Sequence, residues 1–475
     1  MKKRKRRNPS AKITLFAGAT ALMALAPNGP AQTSVDALLN KLEQKGILTV
    51  DEAKELRAEN QQDSAADINK AINAKFPTPD YVKSYKLYGD FRGRFDEETT
   101  DNRGNAADNL SSQNNVRLRY RLRVGLDVNL TDDLQAGLRV GSGDSGNPLS
   151  SNQTMQDNAS NKSIWLDTAF GKWIPINNGT AMMAATIGKM DNPFQFSPMI
   201  FDADYAPEGA GLQSSYKIND QHSLAFNSGA FVLDYVKGSS KSPWMYGAQA
   251  IWNANWTPRF ASSVGGGVLN IVNPGGLGLA GGQNPPNYNP GGVPNNNQGN
   301  TRNQYGNLVW NYNPLIATAS ATYNLDTFPL YNGKFPVKVF GEFIDNPGCD
   351  PAKGPANNQG FNAGVQLGKA GKRGLWEIFY RYQYLEADAW YDEVVDDDNV
   401  AFYANKTTAL ALNGWVGGTN IKGHLVRFNY SITEALTFSF TAYINELINP
   451  NLDSAPNGEP KNDALHVMAD LLWKF

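Results

Sequence analysis

The sequence predicts an all-β chain: a transmembrane antiparallel β-barrel of about sixteen strands, preceded by a short helical segment. Three observations predict it. From Tyr81 onward apolar and polar residues alternate with a period of two. The connections between these stretches alternate in length, short then long. The chain opens on a basic and then apolar leader of the secretory kind. A mean hydropathy of −0.46 argues against a bundle of membrane helices. It suits a barrel, whose lipid-facing residues are diluted by the polar ones between them.

The leader spans 1–31. Its basic start runs into an apolar stretch, Ile13 to Ala26, too short for a membrane span, and Gly29 and Ala31 suit cleavage after Ala31. Cleavage there removes Lys2, Lys3, Arg4, Lys5, Arg6, Arg7 and Lys12 but no acid, so the formal charge of −2 becomes more negative. That balance disfavours nucleic acid as a partner. Cys349 is the single cysteine, so no intramolecular disulfide can form. Residues 32–60 have helical spacing at Val35, Leu38, Leu39 and Leu42, a stop at Lys45-Gly46, and a capping box at Thr49 and Glu52. They read as a periplasmic helical hairpin or coiled-coil seed. Residues 61–80 read as a linker, and 81–475 as the barrel.

The first strand sets Tyr85, Leu87, Phe91 and Phe95 against Lys86, Asp90, Arg92 and Arg94. The next, "VRLRYRLRVGLDVNL", places Arg117, Arg119, Arg121 and Arg123 between Val116, Leu118, Tyr120, Leu122 and Val124. A helix would scatter these arginines around its axis; a strand puts all four on one face. A soluble sandwich with a wet face would satisfy this strand alone. In a barrel the apolar set meets lipid and the arginines meet a water-filled lumen, because arginine on the lipid side costs about 2–4 kcal/mol near the midplane. Arg139 joins them from the strand after "NLTDDL". Later strands repeat the scheme: Gln249, Asn253 and Asn255 against tryptophans, Thr318, Ser320 and Thr322 against alanines, Arg381 and Gln383 against tyrosines. The stretches 162–174 and 180–190 alternate poorly.

Long connections fall near 97–113, 143–161, 191–208, 236–243, 273–312, 346–359, 387–420 and 449–462, with seven short turns between the remaining strands. The loop around 273–312, rich in Asn, Gly and Pro, reads as external. The C-terminus alternates Leu465, Val467, Ala469, Leu471, Trp473 and Phe475 on one face. This resembles the terminal strand that the barrel-assembly machinery of Gram-negative outer membranes reads, which makes Trp473 and Phe475 candidate assembly signals.

Four stretches carry a wider resemblance: "DALLNKLEQKGILTVDEAKEL", "LYGDFRGRFDEE", "VRLRYRLRVGLDVNLTDDLQAGLRVGSG", and "DADYAPEGAGL" after "IGKMDNPF". With these the chain resembles a putative-porin family of Gram-negative outer membranes. The resemblance implies a diffusion channel for small polar solutes, commonly a homotrimer, set among lipid and lipopolysaccharide in the outer membrane. Such channels narrow at an inward-folded third external loop. Here that loop is "DNPFQFSPMIFDADYAPEG", whose Asp191, Asp202, Asp204 and Glu208 would face a basic wall of Arg92, Arg94, Arg117, Arg119, Arg121, Arg123 and Arg139. An ordinary surface loop is the alternative. "DADYAPEG" lacks the full calcium-loop pattern, so no metal and no cofactor is expected.

Two other classes compete. A structural or adhesin barrel anchored to peptidoglycan through residues 32–60 is one. A barrel enzyme is the other, but His222, His424 and His466 lie on separate strands without a nucleophile signature, and no phosphate or dinucleotide motif is present. No catalytic residue is expected.

Overall fold

The computed structural model describes residues 79, 81–101, 112–143, 146–238, 240–278, 297–303, 306–350, 352, 354, 356–403, 414–449 and 463–475. The leader 1–31, the helical segment 32–60 and the linker, save Pro79, lie outside the described residues.

The strands, in chain order, are β1 (Ser84–Asp101), β2 (Ser112–Asn129), β3 (Leu134–Gly141), the two-residue β4 (Gln153–Thr154), β5 (Trp165–Asn177), β6 (Ala181–Lys189), β7 (Glu208–Lys217), β8 (His222–Val232), β9 (Trp244–Asn255), β10 (Phe260–Val272), β11 (Leu315–Leu325), β12 (Phe335–Asp345), β13 (Gln359–Gly368), β14 (Trp376–Leu385), β15 (Val400–Tyr403), β16 (Gly414–Gly417), β17 (Ile421–Ser431), β18 (Leu436–Leu447) and β19 (Ala464–Lys474). Among the described residues, sixteen of them close into one antiparallel barrel; β4 is an add-on to β2, and β15 and β16 form a separate hairpin. Closure is direct, because β1 pairs with β2 on one side and with β19 on the other. The expected strand count and the short–long order of connections both hold.

Alternation sets the faces. Leu118 is 55% exposed on the outside, while Arg121, three residues on, is 6% exposed within. Val116, Leu122 and Leu126 share the outer face with Phe91 and Phe95 of β1. The stretch expected to alternate poorly has a local cause. β5 shifts register against β3 between Arg139 and Val140, and against β6 between Trp173 and Ile176. Each irregularity interrupts the period of two on that strand.

Inside, the barrel is not uniformly polar. At the long-loop end, Phe231, Met245, Leu269, Ile271, Ile316, Ile344 and Leu385 point inward and are buried. They form a hydrophobic core with two loops: L3, residues 190–207 between β6 and β7, and L7, residues 386–420 between β14 and β17. L3 supplies Phe194, Met199, Ile200 and Phe201, and L7 supplies Trp390, Tyr391, Val394 and Val395. Burying side chains of this size stabilises by roughly 1.5–3 kcal/mol each. That is enough to hold both loops inside the barrel rather than above it.

The feet of L3 explain its inward turn. Gly188 and Gly209 pair across β6 and β7 at φ 119° and 152°, in the region glycine favours. A Cβ at either would run into the carbonyl of the neighbouring strand, Ala169 or Ala230.

Candidate functional site: the barrel lumen

Strand register creates an electrostatic problem. Arg92 lies directly opposite Arg121, and Arg94 opposite Arg119. Like charges across a strand pair repel. The wall resolves this with acids on the same inward face. Arg121 and Arg123 both hold Asp90, at 3.0 and 2.9 Å through their Nε atoms. Arg117 donates to Asp96 at 3.0 Å and Glu98 at 2.7 Å, and Arg119 donates to Asp96 at 3.2 Å. Arg94 forks onto Asp470 of β19, and Arg92 donates to Asn152 at 2.6 Å. Arg139 bonds Asp167 and, at 2.9 Å, Asp191. All seven arginines expected on the lumen wall therefore face inward, in several clusters, each with an acid within 4 Å.

The loop acids divide. Asp204 of L3 reaches the wall, 3.0 Å from Arg123 and 3.4 Å from Arg121. Asp191 meets Arg139 but is largely exposed. Glu208 is not in the loop; it opens β7 and pairs with Lys189 at 3.6 Å. Asp202 has no wall arginine. It faces L7, and its N–H donates to the carbonyl of Val394 at 2.8 Å. Burial, then Asp397 and Asp396, push its carboxyl well above the usual range.

L7 was not foreseen as part of the lumen. Its Asp396, Asp397 and Asp398 line the same recess as Asp202 and Asp204. Asp398 accepts from Arg94 at 3.2 Å and Asp396 from Arg381 at 3.1 Å. Burial would raise Asp398, but Arg94, then His466 and Arg92, reverse this and hold it low. Asp397 lacks such a cation; burial, then Asp398 and Asp396, push it well above the usual range. Two signals in the sequence pointed to L7: the run of acids, and Trp390, Tyr391, Val394 and Val395 in a segment with no strand pattern. Asp90, Asp96 and Asp470 were legible from parity, since each shares the arginines' face.

The result is a recess of about 430 Å³. Arg92, Arg94 and Arg121 of the wall form one side, and Asp202, Asp204 and Asp396–Asp398 of the loops the other. Opposed charges across a narrow aqueous space act on solutes there by sign and dipole.

The histidines are dispersed. His466 is buried, with its ring nitrogens on the Asp398 carbonyl (2.8 Å) and Asp96 (3.3 Å). His424 faces outward, not into the lumen, and bonds the Tyr380 hydroxyl at 2.9 Å. His222 begins β8 and stacks on Trp252. At the terminus, Trp473 contacts Phe91, with ring centroids 5.6 Å apart. Phe475 exchanges backbone hydrogen bonds with Gly89, at 2.9 and 3.1 Å. Its ring fills the space a side chain at residue 89 would need.

Among solved structures the chain is similar to OprB of Pseudomonas putida at high pH (12% identity, TM-score 0.47, 83% of this chain and 95% of that one). It is also similar to a mutant of the Rh. blastica porin (11% identity, TM-score 0.38, 82% and 100%) and to OpdQ of Pseudomonas aeruginosa (9% identity, TM-score 0.38, 84% and 99%). No curated protein matches it in sequence. Residues 107–269 match the family described as "Putative porin". The described residues of that stretch lie within the closed sixteen-strand barrel.

Proposed function

We propose that this protein is an outer-membrane porin, a water-filled channel for passive diffusion of small polar solutes and ions, narrowed by L3 and L7. The observation that carries this reading is the recess between the wall arginines and the loop carboxylates, because a sealed structural barrel has no need of opposed charges around an aqueous space. The wall is neutralised pair by pair, so selectivity rests on the dipole across the recess more than on net positive charge. The long loops face outside, and Trp473 and Phe475 serve assembly. A homotrimer follows from the same reading by family resemblance.

Purified protein in planar bilayers should open in discrete conductance steps. A folded barrel that never conducts would favour the structural-barrel reading instead.

A further inference from the structure

L3 is fastened on two nearly opposite parts of the wall. On one side Asp204 bonds Arg121 and Arg123 of β2. On the other, Ser197 meets Glu342 of β12: its hydroxyl donates to one carboxylate oxygen and its N–H to the other, at 3.1 Å. Asn362 of β13 donates to the same hydroxyl at 2.9 Å. In the order of strands around the barrel, β2 and β12 lie close to half a circuit apart. A loop tied to both must cross the lumen.

Two recesses flank it, and their chemistry differs. The charged one lies among β1, β2, β14 and β17–β19. The other, of about 490 Å³, lies between Gln195–Ser197 of L3 and the inner face of β9–β13. Its wall is built in registered rows. Asn253, Ser263, Ser320 and Phe340 are successive cross-strand neighbours, and Thr318 sits next to Glu342 in the row nearer the long loops. These are hydroxyls and amides, with Phe196 and Phe340 as half-buried rings. Lys338 and Glu342 are the charged side chains lining it, and Glu342 is already engaged by Ser197 and Asn362. Asn362 is 2% exposed, yet its side-chain carbonyl has no hydrogen-bond partner. A buried acceptor left open beside a polar recess calls for a donor from water or solute.

We propose that L3 divides the lumen into two solute paths, and that the sparsely charged one, along β9–β13, takes neutral, hydroxyl-rich solutes of the polyol and sugar class. The inference rests on the channel reading above. Hydroxyls and amides can replace a polyol's hydration bonds with little net cost. The rings offer surface to its C–H faces. Apart from Lys338, an ion gains no free countercharge on this wall, and it loses part of its hydration in a narrow space. It is therefore directed to the arginine side.

Steric block of each path tests the proposal. Ser320→Trp narrows the sparsely charged path, and Thr437→Trp, at a residue lining the charged recess, narrows the other. The readouts are swelling of proteoliposomes in ribitol and single-channel conductance in potassium chloride. Ser320→Trp should slow ribitol entry about threefold or more while lowering conductance by about a third at most, and Thr437→Trp should do the reverse. Folding of each variant is checked by heat-modifiable migration, with Ser263→Leu replacing Ser320→Trp if that variant misfolds. If both blocks slow both permeants in the same proportion, there is one common path and the inference falls. If the unaltered protein passes neither ribitol nor ions, the channel reading itself falls.

Discussion

Arg94, in the first barrel strand, forks onto Asp470 in the last, with Nε to Oδ1 at 2.8 Å and Nη2 to Oδ2 at 3.0 Å. The two residues face each other across the seam where the barrel closes. The fork thus joins the first and last strands of the barrel, while Arg94 also reaches Asp398 of L7.

The seam should be sensitive to the loss of one partner. Asp470→Ala leaves Arg94 with only part of its countercharge and should destabilise by about 3–5 kcal/mol. The double change Arg94→Met with Asp470→Leu should recover most of that, because an apolar pair leaves no orphaned charge. Urea unfolding in detergent or lipid measures both. Equal loss in single and double variants would show that the seam does not depend on this pair.

The two faces of β2 should respond oppositely to the same residue. Glutamate at Leu118 or Leu122 places a charge on the lipid side and should impair membrane assembly. Arg121→Glu should instead allow folding and shift the reversal potential towards cations, since Asp90 and Asp204 then lose a shared arginine. Screening falls off within about 10 Å at 0.1 M salt, so the shift should grow as salt is lowered. Folding lost with Arg121→Glu and kept with the leucine changes would reverse the assignment.

Phe475 ends the seam against Gly89. Phe475→Asp should reduce the folded barrel recovered from outer membranes, and Gly89→Leu should do likewise by evicting the ring. Normal yields of heat-modifiable barrel from both would remove the terminal residue from any part in assembly.

The loop carboxylates give a pH signature of two signs. Asp202 and Asp397 are raised in the folded protein, so their favourable contribution is full below the ordinary carboxyl range and is lost as pH rises through their raised values. Asp398 is held low, so its contribution is present above that range and is lost as pH falls through its low value. Asp397→Asn should therefore raise the melting temperature near neutral pH, with the gain shrinking on acidification. Asp398→Asn should lower it near neutral pH, with the loss shrinking in strong acid. A pH-independent effect in both would mean that charge is not what these side chains contribute.

The barrel itself was legible because its determinants are local. Parity along a strand decides which side chain meets lipid, and a misplaced arginine is costly enough to enforce it. Sixteen strands, the turn order and the arginine face all follow from residues read in sequence. Parity also placed Asp90 with Arg121, though pairing them needed the register. His424 shows the limit: its parity put it outward, against a tyrosine, where a lone polar residue read in isolation suggests the lumen. What only the tertiary structure decided is how the loops enter. The docking of L7 on L3 depends on Trp390 finding the Ile200 carbonyl, 190 positions earlier in the chain, at 3.0 Å. The meeting of Ser197 with Glu342 depends likewise on loop closure across the barrel. Such contacts join segments far apart in the chain, and no periodicity encodes them. The sequence by itself determined a charged inner wall and an apolar outer one; the fold decided that the charges are paired and where L3 and L7 dock inside.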